Sequence, residues 1–356
     1  MSPNPSVPIA EPDPRQEREA AAEAALASLY AGDSLDQVAA ETLFAELVEG
    51  RLQPVQISAM LIALRLKGES DDELIGAARA LRAADTDFPR PDYLFADSCG
   101  TGGDGSGSIN VSTAAALVAA ACGLPVAKHG NRSFSSKCGS ADVLEHVGAR
   151  LDVTPEESRR ALDQTGFCFL FAPRYHPGLR HAGPVRRQLK VRTIMNILGP
   201  CLNPAEPAVQ LLGVANPALI GPVARTLAAL GVSNALVVHG AGLDEIALHD
   251  SSEAIRVDHG TLTPLILRPE DAGVERRPVA SLKGGDPDQN AERLTALLKG
   301  EGESAESDTV ALNAGALLAT AGLASDFRDG VALAQDSIRT GEPYRRLRMF
   351  VEATRG

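Results

Sequence analysis

The chain has 356 residues, enough for one large or two ordinary domains with a sizeable core. Apolar residues make up 44% and aromatics 4%, and 34 basic side chains stand against 46 acidic ones, a net charge of −12. That balance argues against nonspecific binding to nucleic acid, while an anionic ligand at a locally basic site stays open.

Residues 1–14 carry five prolines and read as a flexible tail. Four stretches then repeat apolar residues at spacings of three and four, which predicts helices over 18–32, 34–50, 54–68 and 71–85. Ser34 is expected to cap the second, and Pro54 to open the third. From Tyr93 the pattern changes to short apolar runs alternating with helical ones. Strands are predicted at 93–96, 124–128, 167–171, 210–214 and 235–240. Helices are predicted at 112–122, 139–147, 156–165 and 217–230. This alternation argues for an α/β domain with a largely parallel sheet flanked by helices. A strand pair over 254–267, turning at His259-Gly260, precedes helices at 287–298, 306–321, 326–340 and 342–354.

The five cysteines, Cys99, Cys122, Cys138, Cys168 and Cys201, are odd in number and lack CxxC spacing, so neither a disulfide framework nor a zinc knuckle is expected. There is no basic-then-apolar leader and no run of 18 apolar residues, which reads as a soluble, cytoplasmic protein.

The stretch DSCGTGGDGSGSINVSTAAA (97–116) holds five glycines and leads into a helix. Such a turn offers backbone N–H groups and the positive end of a helix dipole to a phosphate. Asn110, Ser112 and Thr113 sit where that helix starts. The stretch lacks the GxxxxGK[ST] of a P-loop. Although GTGGDG matches GxGxxG, no acid follows Asp104 until Asp142, where a dinucleotide fold wants one about 20 residues on. The plainer reading is a tight-turning loop before an ordinary cap. Charge placement favours the anion site. The acid-free interval after Asp104 holds Lys128, Arg132 and Lys137. A second, between Asp163 and Glu206, holds Arg174, Arg180, Arg186, Arg187, Lys190 and Arg192. Further on, an apolar strand ends at His239, and Asp244 and Glu245 follow a glycine turn. Adjacent acids at a strand end suit a hard cation such as Mg²⁺ beside a phosphate. They equally suit an acidic helix N-terminus.

Together, GTGGDGSGSINVST (100–113), KHGNRSFSSKCGSADVLEHVG (128–148), HPGLRHAGPVRRQL (176–189), RTIMNILGPCLNPA (192–205) and HGAGLDEI (239–246) resemble the anthranilate phosphoribosyltransferases, the second enzyme of tryptophan synthesis. The resemblance covers most of the chain from about residue 17. It implies a small α-helical domain over 15–90, completed by a segment near 176–195. It also implies an α/β donor domain over 91–175 and 196–356, of an architecture related to nucleoside phosphorylases. It further implies a homodimer that uses Mg²⁺ to transfer phosphoribose from 5-phosphoribosyl 1-pyrophosphate to anthranilate.

Motif by motif, the resemblance assigns Gly100, Thr101, Gly102, Gly103, Asp104, Asn110, Ser112, Thr113 and Lys128 to the donor. Ser112, Asp244 and Glu245 go to the metal, and Asn131 and Arg186, with His129 and His176 nearby, to the acceptor. No essential base is assigned, because an aromatic amine is neutral at pH 7 and has a free lone pair. Gly199 and Pro200 belong to a hinge-side segment. The chain departs from the family pattern at Ile109, Cys138, Met195 and Cys201-Leu202, none of which removes a charged contact. Other readings are the same donor chemistry on another aromatic amine, a pyrimidine nucleoside phosphorylase-like reaction, and a noncatalytic phosphate-binding protein.

Overall fold

The computed structural model describes residues 13–133 and 137–356; most of the expected tail (1–12) and residues 134–136 of the second motif lie outside the described residues. Helices α1 (Pro14–Ala31), α2 (Gln37–Val48), α3 (Pro54–Lys67) and α4 (Asp71–Ala83) follow the apolar periodicity, with Pro54 opening α3. The expected cap differs. The α2 helix starts too late for Ser34, and Asp36 accepts from the Ala39 N–H at 2.8 Å instead. Ser34 accepts from Lys67 Nζ.

The sheet has seven strands in the order β3-β2-β1-β4-β5-β6-β7. These are β1 (Ala96–Gly100), β2 (Val126–Gly130), β3 (Phe167–Phe171), β4 (Val209–Gly213), β5 (Asn234–His239), β6 (Ser252–Asp258) and β7 (Thr261–Leu267). The first five run parallel, and β6 and β7 form an antiparallel hairpin turning at His259-Gly260. Pro264 is accommodated because β7 is an edge strand. One expectation fails clearly. The first strand is the polar segment 96–100 and only touches the apolar 93–96. Burial between β2 and β4 makes Asp97 and Ser98 a central strand despite their chemistry.

Between the strands run α5 (Val111–Ala121), α6 (Ser140–His146), α7 (Pro155–Thr165), α8 (Ala172–Tyr175), α9 (Gly183–Leu189), α10 (Ile194–Leu198) and α11 (Ile220–Ala229). After the hairpin come α12 (Pro287–Leu298), α13 (Ser304–Thr320), α14 (Phe327–Thr340) and α15 (Glu342–Arg355). Helices α8, α9 and α10 lack an apolar repeat long enough to read from sequence. Alternate residues of β5 face opposite layers. Leu236 and Val238 pack with α5, α13 and α15, whereas Ala235 and Val237 pack with α11 and the N-terminal helices. The four N-terminal helices share this second core with Ala182, Val185, Ile194, Met195 and Leu198. The cysteines are all free. Among the described residues no helix is long and apolar enough to cross a membrane.

At the C-terminal edge of the sheet, the chain after β5 crosses the ends of β1 and β4. A Cβ at Gly213 would overlap the Asp244 carbonyl, and one at Gly100 would overlap its carboxylate. Gly213→Ala should therefore cost about 3 kcal/mol or more, because backbone has no rotamer to yield. Gly102→Ala meets open space but has φ near +62°, and should cost only about 1 kcal/mol. Denaturant melts of the two variants check this ordering; a Gly213→Ala protein as stable as Gly102→Ala contradicts the close approach.

Candidate active site

The crossing segment brings acids to the glycine loop. Gly102 N–H donates to Asp244 Oδ2 at 2.6 Å, and Ser112 N–H, in the first turn of α5, donates to Glu245 Oε1 at 3.1 Å. No helix begins at these acids, so the reading of them as a helix N-terminus fails. Two buried side chains hold the segment. His239 Nδ1 faces the Val214 carbonyl at 2.8 Å, while its Nε2 accepts from Gly242 N–H at 3.1 Å. Asn313 on α13 brackets Ile246, accepting from its N–H at 2.9 Å and donating to its carbonyl at 3.1 Å.

Lys128, at 2% exposure, lies beneath the loop. Its Nζ donates to the Ser98 carbonyl and, at 3.2 Å, to Ser112 Oγ. Burial raises the pKa of Asp97 and of Glu245, and the Lys128 charge opposes both shifts. Asp244 is pushed up to about 7 by burial and then by the Asp104 carboxylate. Asp104 itself accepts from Ser106 N–H at 3.0 Å and from its hydroxyl. Thr101 is tied to the sheet, its N–H to the Gly213 carbonyl at 2.9 Å and its Oγ1 to Ala215 N–H at 3.0 Å. Gly103 is exposed, and Thr113 is fully buried with its hydroxyl unpaired. Asn110 turns its amide sideways, to the Cys138 carbonyl at 3.2 Å.

On the other side, His129, next to last in β2, touches His176, Nε2 to Nε2, at 2.9 Å; His176 Nδ1 meets the Asp85 carboxylate. Both rings are buried, and burial followed by the His176 and Lys128 charges holds His129 well below the ordinary histidine range. Asn131 is exposed one residue past β2. Arg186 is half-buried on α9, whereas Arg187 is exposed, so the fold separates two arginines that the sequence leaves equivalent. Burial lowers the Arg186 pKa.

Three contributors escaped sequence reasoning. Asp85 is one of three acids in the loop after α4, and nothing in the sequence sets it apart from Asp87 and Asp92. Asn313 sits in an apolar helix. Arg192 appears only as one of six cations in the acid-free interval. Its guanidinium is half-buried against Gly103, donates to the Thr101 carbonyl at 2.9 Å, and is drawn towards Asp244 and Asp104. Arg65 on α3 donates to the Arg192 carbonyl, which links the helical layer to the glycine loop. Pro200 is fastened to the sheet by Gln210 Nε2 at 2.8 Å. The family departures Ile109, Met195, Cys201 and Leu202 are all buried packing positions.

Comparison with known proteins agrees with this arrangement. A family model described as the helical bundle domain of a glycosyl transferase family matches residues 23–84, and one for its a/b domain matches 92–344. Anthranilate phosphoribosyltransferase of Sorangium cellulosum is 54% identical over 332 residues, 93% of this chain and 95% of the relative. The chain belongs to the anthranilate phosphoribosyltransferase family. The Aeromonas hydrophila family member is 50% identical over 86% of this chain and 90% of its own. Among solved structures, the anthranilate phosphoribosyltransferase of Thermus thermophilus superposes with a TM-score of 0.88 at 43% identity, over 93% of this chain and 99% of that one. The Saccharomyces cerevisiae enzyme in complex with PRPP and Mg gives a TM-score of 0.86, over 95% and 98%. At 24% identity that likeness speaks for the fold alone.

The Asp244 shift sets a pH dependence of stability. Its folded pKa of about 7 lies above the ordinary 3.8, so the folded state binds the extra proton and wild-type stability from this group is lost as pH rises from about 4 to about 7. In metal-free buffer, Asp244→Asn should gain stability relative to wild type between pH 5 and 7 and level off above. Thermal melts across that range check this; a flat difference contradicts the shift.

Proposed function

We propose that the protein transfers phosphoribose from 5-phosphoribosyl 1-pyrophosphate to the amine of anthranilate, giving N-(5-phosphoribosyl)anthranilate and pyrophosphate. The observation that carries this reading is the meeting of the glycine loop, the α5 N-terminus and two adjacent acids at the C-terminal edge of a parallel sheet, where α/β folds bind ligands. Relatives of 54% and 50% identity named for this activity support it.

Burial raises the proton affinity of Asp244 and Glu245, the Asp104 carboxylate adds to the first and Asp244 to the second, and a hard cation would relieve that. Among the described residues no cluster of three or more His, Cys, Asp and Glu forms a metal cage. Mg²⁺ would therefore take only some ligands from Asp244, Glu245 and Ser112, and the rest from substrate and water. When bound, it supplies positive charge for the pyrophosphate. The protein's own part begins with loop N–H groups and the α5 N-terminus, which bind the donor's anionic end, with Lys128 and Arg192 adding charge. As the C1′–O bond to pyrophosphate breaks, C1′ gains oxocarbenium character and the amine lone pair closes the new C1′–N bond. The amine nitrogen then sheds a proton. Arg186 and Asn131 orient the acceptor, which supplies proximity more than activation.

We also propose a homodimer. Large apolar side chains are exposed on the helical layer at Tyr30, Val38, Val55 and Leu66, and burial against a second copy would shield them.

The test is an assay with the donor, Mg²⁺ and a panel of aminobenzoates, following loss of anthranilate fluorescence and release of pyrophosphate. Turnover confined to thymidine or uridine with phosphate would favour the phosphorylase reading. Within the assay, Arg186→Ala should raise the anthranilate KM about tenfold or more, by loss of a forked carboxylate contact, and leave the donor KM near wild type. Arg186→Lys should recover only part. The exposed Arg187→Ala should be close to wild type. A rise in donor KM alone for Arg186→Ala refutes the acceptor role.

A further inference from the structure

The start of α5 is the part of the donor site whose chemistry depends on a side chain choosing not to act. Asn110 stands in the N-cap position, where an asparagine ordinarily turns its carbonyl oxygen onto the first N–H groups of its helix. Here it makes no such bond. Its amide is caught in a chain of hydrogen bonds whose polarity is dictated at both ends. At one end the Gly285 N–H, which can only donate, reaches Asn290 Oδ1 at 2.7 Å. Asn290 Nδ2 then donates to Asn110 Oδ1 at 3.0 Å, and Asn110 Nδ2 donates to the Cys138 carbonyl, which can only accept, at 3.2 Å. Either amide, flipped, would set like groups against each other.

Asn290 lies on the first turn of α12 with 3% of its surface exposed, so the middle of the chain is sheltered from competing water. The backbone around it is fastened to the same loop. Gly284 N–H donates to the Gly107 carbonyl at 2.7 Å, and Ile109 N–H to the Leu282 carbonyl at 2.9 Å. A strap over 282–285 thus lies along the closing half of the glycine loop.

We infer that Asn290 is a positioning residue for the donor site: it holds the Asn110 carboxamide away from the α5 N-terminus and so spares the N–H groups there a second side-chain acceptor beside Glu245, leaving them to the donor's pyrophosphate. The inference rests on the reading of 100–113 as the donor loop. An unrestrained Asn110 would cap its own helix, and the anion would have to displace its carbonyl oxygen as well as compete with the Glu245 carboxylate on the Ser112 N–H. The cost falls on donor binding, since Asn290 touches neither the acceptor-side histidines nor α9.

Calorimetric titration with inorganic pyrophosphate and Mg²⁺, beside steady-state kinetics for both substrates, tests this on the full chain. Asn290→Ala should weaken pyrophosphate binding and raise the donor KM about tenfold, and leave the anthranilate KM unchanged. Asn290→Asp keeps the acceptor for Gly285 but has no hydrogen for Asn110. It should lose as much, with a melting temperature close to wild type. Because Asn290 acts through Asn110, neither substitution should weaken binding further in an Asn110→Ala background. That cycle also separates positioning from the added charge of Asn290→Asp, whose effect would persist there. Wild-type affinity in Asn290→Ala, additive losses in the double variants, equal rises in both KM values, or an Asn290→Asp protein that does not fold would each overturn the inference. A wild-type protein that ignores pyrophosphate removes the donor-loop reading and this inference together, whereas a binding wild type with an unaffected variant removes this inference alone.

Discussion

The site depends on one steric allowance. The chain after β5 doubles back over the ends of β1 and β4, and only the missing side chains at Gly100 and Gly213 let it lie so close. From that crossing, Asp244 reaches the backbone of Gly102 and Glu245 reaches the first turn of α5. The acids and the glycine loop are thereby placed within hydrogen-bond distance, although 142 residues separate Gly102 from Asp244 along the chain. His239 and Asn313 secure the crossing from two sides, one from the sheet and one from a helix behind it. Both spend their polar atoms on backbone, which suits groups buried where water cannot compete.

The electrostatics follow from the same crowding. Acids forced together out of water resist ionisation, and their proton affinity rises. Lys128 from below and Arg192 from the side offset part of this charge. The result is a site that still holds more acid than basic charge, which a cation arriving with a polyphosphate would offset. A protein carrying a net charge of −12 binds an anion this way because the field is local, set by two cations and a helix end.

Much of this was legible from the order of residues. Helices with long amphipathic repeats, such as 287–298, agree with the structure to the residue, since periodicity and packing demand the same face. The glycine loop, the acid-free intervals and the Asp244-Glu245 pair marked the site by composition alone. The first strand was not legible, because Asp97 and Ser98 are strand residues only by virtue of neighbours on both sides. Helices α8 and α9 were missed because their proline- and arginine-bearing sequences show no apolar period, and α10 because it has only five residues, whereas the seven-residue α6 was read.

The sequence by itself therefore determined which chemistry is present: a loop able to meet phosphate, acids able to meet a cation, and arginines able to meet a carboxylate. Those capacities are properties of side chains and local backbone, and they survive without a fold. Only the tertiary structure decided which members of each set are buried and which are brought together. It half-buried Arg186 and exposed Arg187, paired His176 with Asp85, brought Arg192 against the glycine loop, and linked Asn290 to Asn110 across 180 residues. Burial and hydrogen-bond geometry depend on what the rest of the chain packs alongside, and no local pattern encodes that.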